Sequence, residues 1–320
     1  MTPHPPSSAS RHGSRRVLSR SFCVLAALIV LGPARLFAAA NNAASNEPDG
    51  GEPTGPLALS GDALLGTTLA GGRGGGGTIF ALRADGSGYR ILHHFSRLGS
   101  SGAADGFDLN ADGYMPQAGL TVINGIAFGT TTEGGQRGQG TAFSIHPDGT
   151  GFTVLHHFDR AEACKPNSGL AGSGRFLYGT TSFGGSHDAG TIYSLATDGG
   201  AFKVLASLER THLQPLVSDL LLEDGRLFGL AQNSGRADGG TVLSLGTDGT
   251  GYTVIHEFTG TPDGFYPFSG LIPAGNRLCG VSSAGGTHDG GTVFAVDPAG
   301  GAVTILHSFS PEEGVHPHGR

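Results

Sequence analysis

The sequence predicts an all-β protein, a five-unit β-propeller of four-stranded antiparallel blades preceded by a cleavable signal peptide. Three observations lead there. A thirty-residue phrase recurs five times, beginning at Gly66, Gly129, Gly179, Gly229 and Gly280. Each copy holds a second glycine-threonine pair eleven residues on (Gly77-Thr78, Gly140-Thr141, Gly190-Thr191, Gly240-Thr241, Gly291-Thr292). Seven residues past that threonine stands a hairpin signal: Asp85-Gly86, Asp148-Gly149, Asp198-Gly199, Asp248-Gly249 or the variant Ala299-Gly300. The composition agrees, because 58 glycines with 14% charged residues and no collagen-like triplet suit short strands and tight turns. A period of about fifty residues, four strands to each unit, suits a propeller.

Residues 1–40 read as an export leader. Arg11, Arg15, Arg16 and Arg20 precede the apolar run Phe22 to Gly32, and Ala38-Ala39-Ala40 offers the small residues of a cleavage site. Ser14-Arg15-Arg16-Val17-Leu18-Ser19-Arg20 also resembles the twin-arginine export signal, with Leu18-Ser19 in place of its usual phenylalanine-leucine. Eleven apolar residues fall short of the roughly 20 that span a bilayer, which disfavours an anchor. The expected location is therefore periplasmic, cell-surface or extracellular, with the membrane involved only in export.

A linker at 41–48 leads into repeats over 49–317. Losing the leader removes five arginines and no acid, taking the formal charge from −7 to −12. With only Lys165 and Lys203 as lysines, a nucleic-acid partner is excluded as an expectation. Cys23 lies in the leader. Cys279 occupies the position of Phe128, Tyr178 and Phe228 and reads as a small buried hydrophobe; no spacing argument pairs it with Cys164.

Within each unit a proline precedes the phrase, at Pro53, Pro116, Pro166, Pro215 and Pro267. A short first strand follows, such as Gly169-Leu170-Ala171. The second is typified by Arg175 to Thr180, the third by Thr191 to Leu195, and the fourth by Phe202 to Leu208, reached through the Asp-Gly hairpin. Alternation along the third strand sets a large column (Phe80, Phe143, Tyr193, Leu243, Phe294) against a small one (Ala81, Ser144, Ser194, Ser244, Ala295), as face-to-face sheets require. The glycine inside every second strand would be explained by backbones crowding near a ring axis. Spacings of 63, 50, 50 and 51 between phrases place an insertion between the first two copies. Glu313-Gly314-Val315-His316-Pro317 repeats the opening signal Asp49-Gly50-Gly51-Glu52-Pro53, so five whole units fit between them, as ring closure would need.

The run Leu177-Tyr178-Gly179-Thr180-Thr181, then Gly184-Gly185, Gly190-Thr191, the Asp198-Gly199 turn and Val204-Leu205 resembles the GloVer tandem repeat of bacterial exported proteins, over roughly residues 49 to 309. The resemblance implies a propeller-like, secreted or surface-displayed protein of unassigned function, often carrying a C-terminal surface anchor. Here the eleven residues after Phe309 contain no apolar tail.

Two candidate sites stand out. Asp108-Leu109-Asn110-Ala111-Asp112-Gly113 spaces oxygen ligands as a calcium loop does, with Asp105 as an extra ligand, but Gly119 stands where an EF-hand places its bidentate glutamate. A self-satisfied turn is the competing reading. The loops between second and third strands carry His187, Asp188, Asp238, His288 and Asp289, polar contacts for a ligand on one rim. Turn chemistry alone is the competing and simpler reading. His93, His156, His256 and His307 recur one to a unit in the fourth strand and read as half-buried structural residues, too far apart to converge on one metal.

No G-x-S-x-G elbow and no H-E-x-x-H appear, so no catalytic residue is assigned. The expectation is a binding or surface scaffold whose partner is an extracellular glycan or envelope component, without a cofactor unless calcium occupies the loop. The alternative is a propeller-fold glycosidase or polysaccharide lyase using asymmetric acids such as Asp105, Asp159, Glu162 or Glu209.

Overall fold

The computed structural model describes residues 48–99, 108–209 and 216–317, so the leader at 1–40, nearly all of the linker and Asp105 lie outside the described residues. The described residues contain no helix, and hence none long and apolar enough to cross a membrane. Each repeat unit forms one antiparallel sheet with its strands in chain order.

Sheet 1 comprises Ala58–Ser60, Ala63–Thr68, Thr78–Arg83 and Arg90–His94, and sheet 2 Thr121–Ile123, Ile126–Thr131, Thr141–Ile145 and Thr153–His157. Sheet 3 comprises Ala171–Ser173, Phe176–Phe183, Thr191–Ala196 and Lys203–Ser207. Sheet 4 follows with Leu221–Glu223, Arg226–Gln232, Thr241–Gly246 and Thr253–Glu257, and sheet 5 with Ile272–Ala274, Arg277–Ala284, Thr292–Val296 and Val303–Ser308. The first strand thus belongs to its own sheet, a phasing that spacing alone leaves open. A fifth strand was not anticipated: the proline segments Cys164–Pro166, Leu216–Val217 and Phe265–Pro267 pair with the other half of the same second-strand edge.

The glycine of the second strand has a cause other than crowding at an axis. Gly66, Gly129, Gly179 and Gly280 lie directly opposite Phe80, Phe143, Tyr193 and Phe294. A Cβ on Gly129 would come within 2.6 Å of the Phe143 ring and 2.7 Å of Leu120. The large residue of the third strand therefore lies over the glycine, and the absence of a side chain makes that packing possible.

The hydroxyl residue two places after the second-strand glycine and the threonine of the later glycine-threonine pair form a second device. Thr68–Thr78, Thr131–Thr141 and Thr181–Thr191 join hydroxyls across second and third strands at 2.9, 2.9 and 2.8 Å, and Ser282–Thr292 does so at 2.8 Å. In each pair the second-strand hydroxyl also accepts the partner's N–H. All of these hydroxyl-bearing residues are buried, so the pairing removes the desolvation cost of two polar groups at once.

Neighbouring sheets meet through four apolar cores. Leu65, Ile79 and Phe95 of sheet 1 meet Leu120, Phe143 and Ile145 of sheet 2, and the pattern repeats for sheets 2/3, 3/4 and 4/5. The strap around each proline ties the junctions. The residue before the proline adopts a left-handed conformation at Glu52, Met115, Lys165, Tyr266 and His316, with φ of 55–62°. Such strain, of order 1–3 kcal/mol per residue, persists only where surroundings impose it. Here the N–H of Met115, Lys165, Tyr266 and His316 donates to Gly76, Gln139, Gly239 and Gly290 of the preceding unit's loop, at 2.8–3.0 Å. The proline rings pack on Gly77, Gly140, Gly240 and Gly291, where any side chain would collide.

Closure of sheet 5 onto sheet 1, which the matched end signals suggest, has no core of its own among the described residues.

Candidate functional site

The hairpin-loop residues picked out by the sequence serve their own turns. Asp188, Asp238 and Asp289 have φ of 49, 54 and 58°, at the position that Gly75 and Gly138 occupy in units 1 and 2. Aspartate is one of the few side chains that tolerates this region. Oδ1 of Asp188 accepts from Gly184 N at 3.0 Å, and that of Asp289 from Gly285 N at 2.9 Å. Arg160 pairs with Asp188 at 3.0 Å, while His187 and His288 each hydrogen-bond their chain neighbour, Ser186 and Thr287, at 3.1 Å. None of the five lines the cleft or the grooves described below.

The oxygen-rich loop is likewise occupied from within. Asn110 Oδ1 accepts from Gly113 N and Gly135 N, and its Nδ2 donates to Ser96 O and Gly113 O. Asp112 accepts from Ser96 N and Oγ and faces His93 Nε2 at 3.0 Å. Asp263 repeats that role toward His256 at 2.9 Å, and Glu313 faces His307 at 3.3 Å. Asp108 is exposed. Among the described residues no group of three His, Cys, Asp or Glu is placed to hold a metal.

The fourth-strand histidines also pack. His93 stacks on Phe152 of the next sheet at 3.7 Å, and His156 on Phe202 at 4.0 Å. Burial, with help from the charge of His157, lowers the His156 pKa to about 4. Cys164 and Cys279 are both free thiols, and burial pushes the Cys164 thiol up to about 11.

A cleft that the sequence did not indicate opens between sheets 4 and 5, at the ends opposite those hairpin loops. It holds about 760 Å³, within the range of ligand pockets. The turns Glu223–Arg226 and Gly275–Arg277 and the hairpin Pro298–Gly301 form its walls, with Val254 and Phe228 on its apolar side. Arg226 is held by Ser244 Oγ at 2.8 Å and Gly251 O at 3.2 Å, and Arg277 by Thr304 Oγ1 at 2.8 Å. Two arginines, Glu223, Asp224 and Asn276 thus surround an amphipathic recess with balanced charge.

The one sequence feature that coincides with it is the variant turn Ala299-Gly300 in its wall. In units 1, 2 and 4 Asp85, Asp148 and Asp248 accept from the backbone and hydroxyl of Ser87, Thr150 and Thr250, bonds that hold their carboxyls below the usual range, and in unit 3 Asp198 accepts from Gly200 N. In unit 5 Asp297 takes over from an earlier position, accepting from Ala299 N, and the hairpin takes another course. Smaller grooves lie beside the fourth strands of sheets 1, 3 and 4, at His93 and His94, at Phe202 and Ser207, and at Tyr252 and Glu257.

The fold and these grooves define an all-β, propeller-like repeat scaffold. Among solved structures the chain resembles a chain of the nidogen/laminin complex (TM-score 0.50, 16% identity, 82% of this chain and 81% of that one). It also resembles oligogalacturonate lyase from Vibrio parahaemolyticus (TM-score 0.52, 11% identity, 83% and 68%). At such identities the likeness concerns fold alone. No curated protein matches. The chain belongs to the Gloeobacter/Verrucomicrobia repeat family, whose model matches residues 36–186, 104–231 and 165–320.

Proposed function

We propose that this protein is an exported, non-catalytic binding scaffold for a glycan or another cell-envelope polymer, held mainly in the cleft between sheets 4 and 5. The cleft lining carries this reading. Arg226, Arg277, Asn276 and the acids Glu223 and Asp224 offer donors and acceptors in fixed directions, and Val254 supplies an apolar wall. Hydroxyl-rich, largely uncharged ligands match such a lining better than polyanions do, because the two guanidinium groups are balanced by two carboxylates. The grooves on sheets 1, 3 and 4 add equivalent weaker contacts for a repeating polymer, whose affinities multiply when engaged together. Export rests on the leader at residues 1–40.

The enzyme alternative requires two carboxylates facing each other across roughly 5 to 9.5 Å of cavity. Glu223 and Asp224 are successive residues on one turn. Asp159 is paired with Arg137 at 3.3 Å, and Glu162 and Glu209 line different grooves. That arrangement supports binding over hydrolysis.

A glycan array and an envelope-fraction pull-down test the proposal, alongside an Asn276→Ala/Arg277→Ala variant. The expected result is saccharide binding that weakens at least tenfold in the variant while its melting temperature is unchanged. Empty results in both assays, or a variant that binds as well as the parent, would overturn it.

A further inference from the structure

The four junctions between sheets reuse one set of contacts, and sheets 1 and 5 each hold half of that set without a mate. At the junctions Leu120, Leu170, Leu220 and Leu271 are 5–7% exposed, but the corresponding Leu57 of sheet 1 is 53% exposed. Phe143, Tyr193, Leu243 and Phe294 are fully buried, whereas Phe80 is half-exposed. Sheet 5 shows the converse on its far side. Phe95, Phe158, Leu208 and Phe258 are buried, yet Phe309 is only half-buried; Val293 likewise is half-buried where Ala142, Ile192 and Val242 are sealed. Leu306, 55% exposed, corresponds to Leu92, Leu155, Leu205 and Ile255, which pack against the next sheet.

The two half-sets are already arranged for contact. At the first two junctions a His-Phe pair (His93–Phe95 at 4.9 Å and 82°, His156–Phe158 at 5.0 Å and 82°) enters an aromatic pair on the next sheet (Phe143–Phe152 and Tyr193–Phe202, both 5.5 Å). Sheet 5 presents His307–Phe309 at 4.8 Å and 84°, and sheet 1 presents Phe80–Tyr89 at 5.8 Å. Each is the complement of the other.

We propose that a second copy of this chain supplies the mate, sheet 5 of one copy docking on sheet 1 of another through a fifth version of the existing junction. Within the chain both faces stay open, with Leu57 53% and Leu306 55% exposed and no core joining sheet 5 to sheet 1 among the described residues. A second copy meeting them through the same contacts would give a heterologous, head-to-tail interface. The C-terminal segment competes for one part of it. His316 donates to Gly290 O and Pro317 packs on Gly291, the place that Glu52 and Pro53 of the incoming copy would take by analogy with Met115-Pro116 on Gly76 and Gly77. Residues 311–316 are all exposed, so this segment is the one to give way.

Light scattering on size-separated protein tests the idea with Leu57→Glu and Leu306→Glu, both at exposed positions where a charge leaves the isolated chain foldable. The parent is expected to show at least twice the monomer mass, rising with concentration. Each variant alone is expected to be monomeric with an unchanged far-ultraviolet spectrum. An equimolar mixture should recover a pair, since each variant keeps one intact face. Removing residues 311–320 should tighten association. A monomeric parent, variants of parental mass or a mixture that stays monomeric would overturn the docking; a truncated chain that associates no more tightly would overturn the competition.

Discussion

Sheets 2 and 4 follow one plan with different parts. In sheet 2, Thr131 bridges to Thr141, and Phe143 covers Gly129. In sheet 4 the second-strand position is Ala231 and the residue opposite Gly229 is Leu243. The buried Thr241 hydroxyl is nevertheless satisfied, because Ser234, three residues further on, turns back to it at 2.8 Å and also donates to Ala231 O. What persists is the pairing of a buried hydroxyl, whereas the position supplying the partner shifts. The repeat motif is thus a way of satisfying one buried polar group.

The largest effect expected on this comparison comes from breaking either version. Thr131→Ala leaves the Thr141 N–H without its acceptor in a sealed core, and Ser234→Ala orphans the Thr241 hydroxyl. Each should cost about 1–3 kcal/mol, the usual penalty for an unsatisfied buried group. Thr131→Ser, which retains the oxygen, should cost well under half as much. Chemical denaturation of the three variants is the measurement. If Ser234→Ala proves neutral while Thr131→Ala does not, the two sheets are not solving the same problem.

Much of this plan was legible in the sequence because it is local. The Gly-Thr spacing, the Asp-Gly hairpins and the alternation of Phe143 with Ser144 report contacts between strands adjacent in the chain. The reason for Gly129 was legible in part: its recurrence marked a close approach, but only the cross-strand register identifies the Phe143 ring as the approaching group. The strap strands are hard to see because Cys164-Lys165-Pro166 is only three residues long and ends in a proline, too short for alternation to register, and its Lys165 N–H is held by the preceding unit. Asp188 and Asp289 looked like ligands because aspartate serves both binding and left-handed turns, and the residue type alone does not separate them. The cleft was least visible. Arg226 and Arg277 lie fifty-one residues apart, and their convergence depends on how two sheets approach each other.

A comparison of sheets 2 and 3 predicts a smaller change, of opposite sign. Tyr193 fills the place that Phe143 holds, is fully buried, and its hydroxyl has no hydrogen-bond partner. Burial accordingly drives its pKa upward. Tyr193→Phe restores the residue of sheets 1, 2 and 5 and relieves the stranded hydroxyl. Stabilisation of about 1 kcal/mol is expected, read from the shift in the denaturation midpoint at unchanged slope. A loss of stability would mean that the hydroxyl has a partner, such as a buried water.

The smallest effect separates the histidines. His93 and His256 each face a carboxylate, Asp112 and Asp263, whereas His156 has no ion-pair partner among the described residues and lies flat on Phe202. Its pKa falls from 6.5 to about 4, chiefly through burial and secondarily through His157, so the folded state favours the neutral ring. For a base with a depressed folded value, the unfolded chain binds the proton first. The stabilisation is therefore complete above pH 6.5 and is lost progressively as the pH falls toward about 4. His156→Phe keeps the stack on Phe202 and removes the titration. Subtracting its stability-versus-pH curve from that of the parent should leave a rise between pH 4 and 6.5 that levels off above, modest because the ring is only partly shielded from water. A flat difference curve would place the His156 ring in solvent, and with it would go the packing role that distinguishes this histidine from a metal ligand.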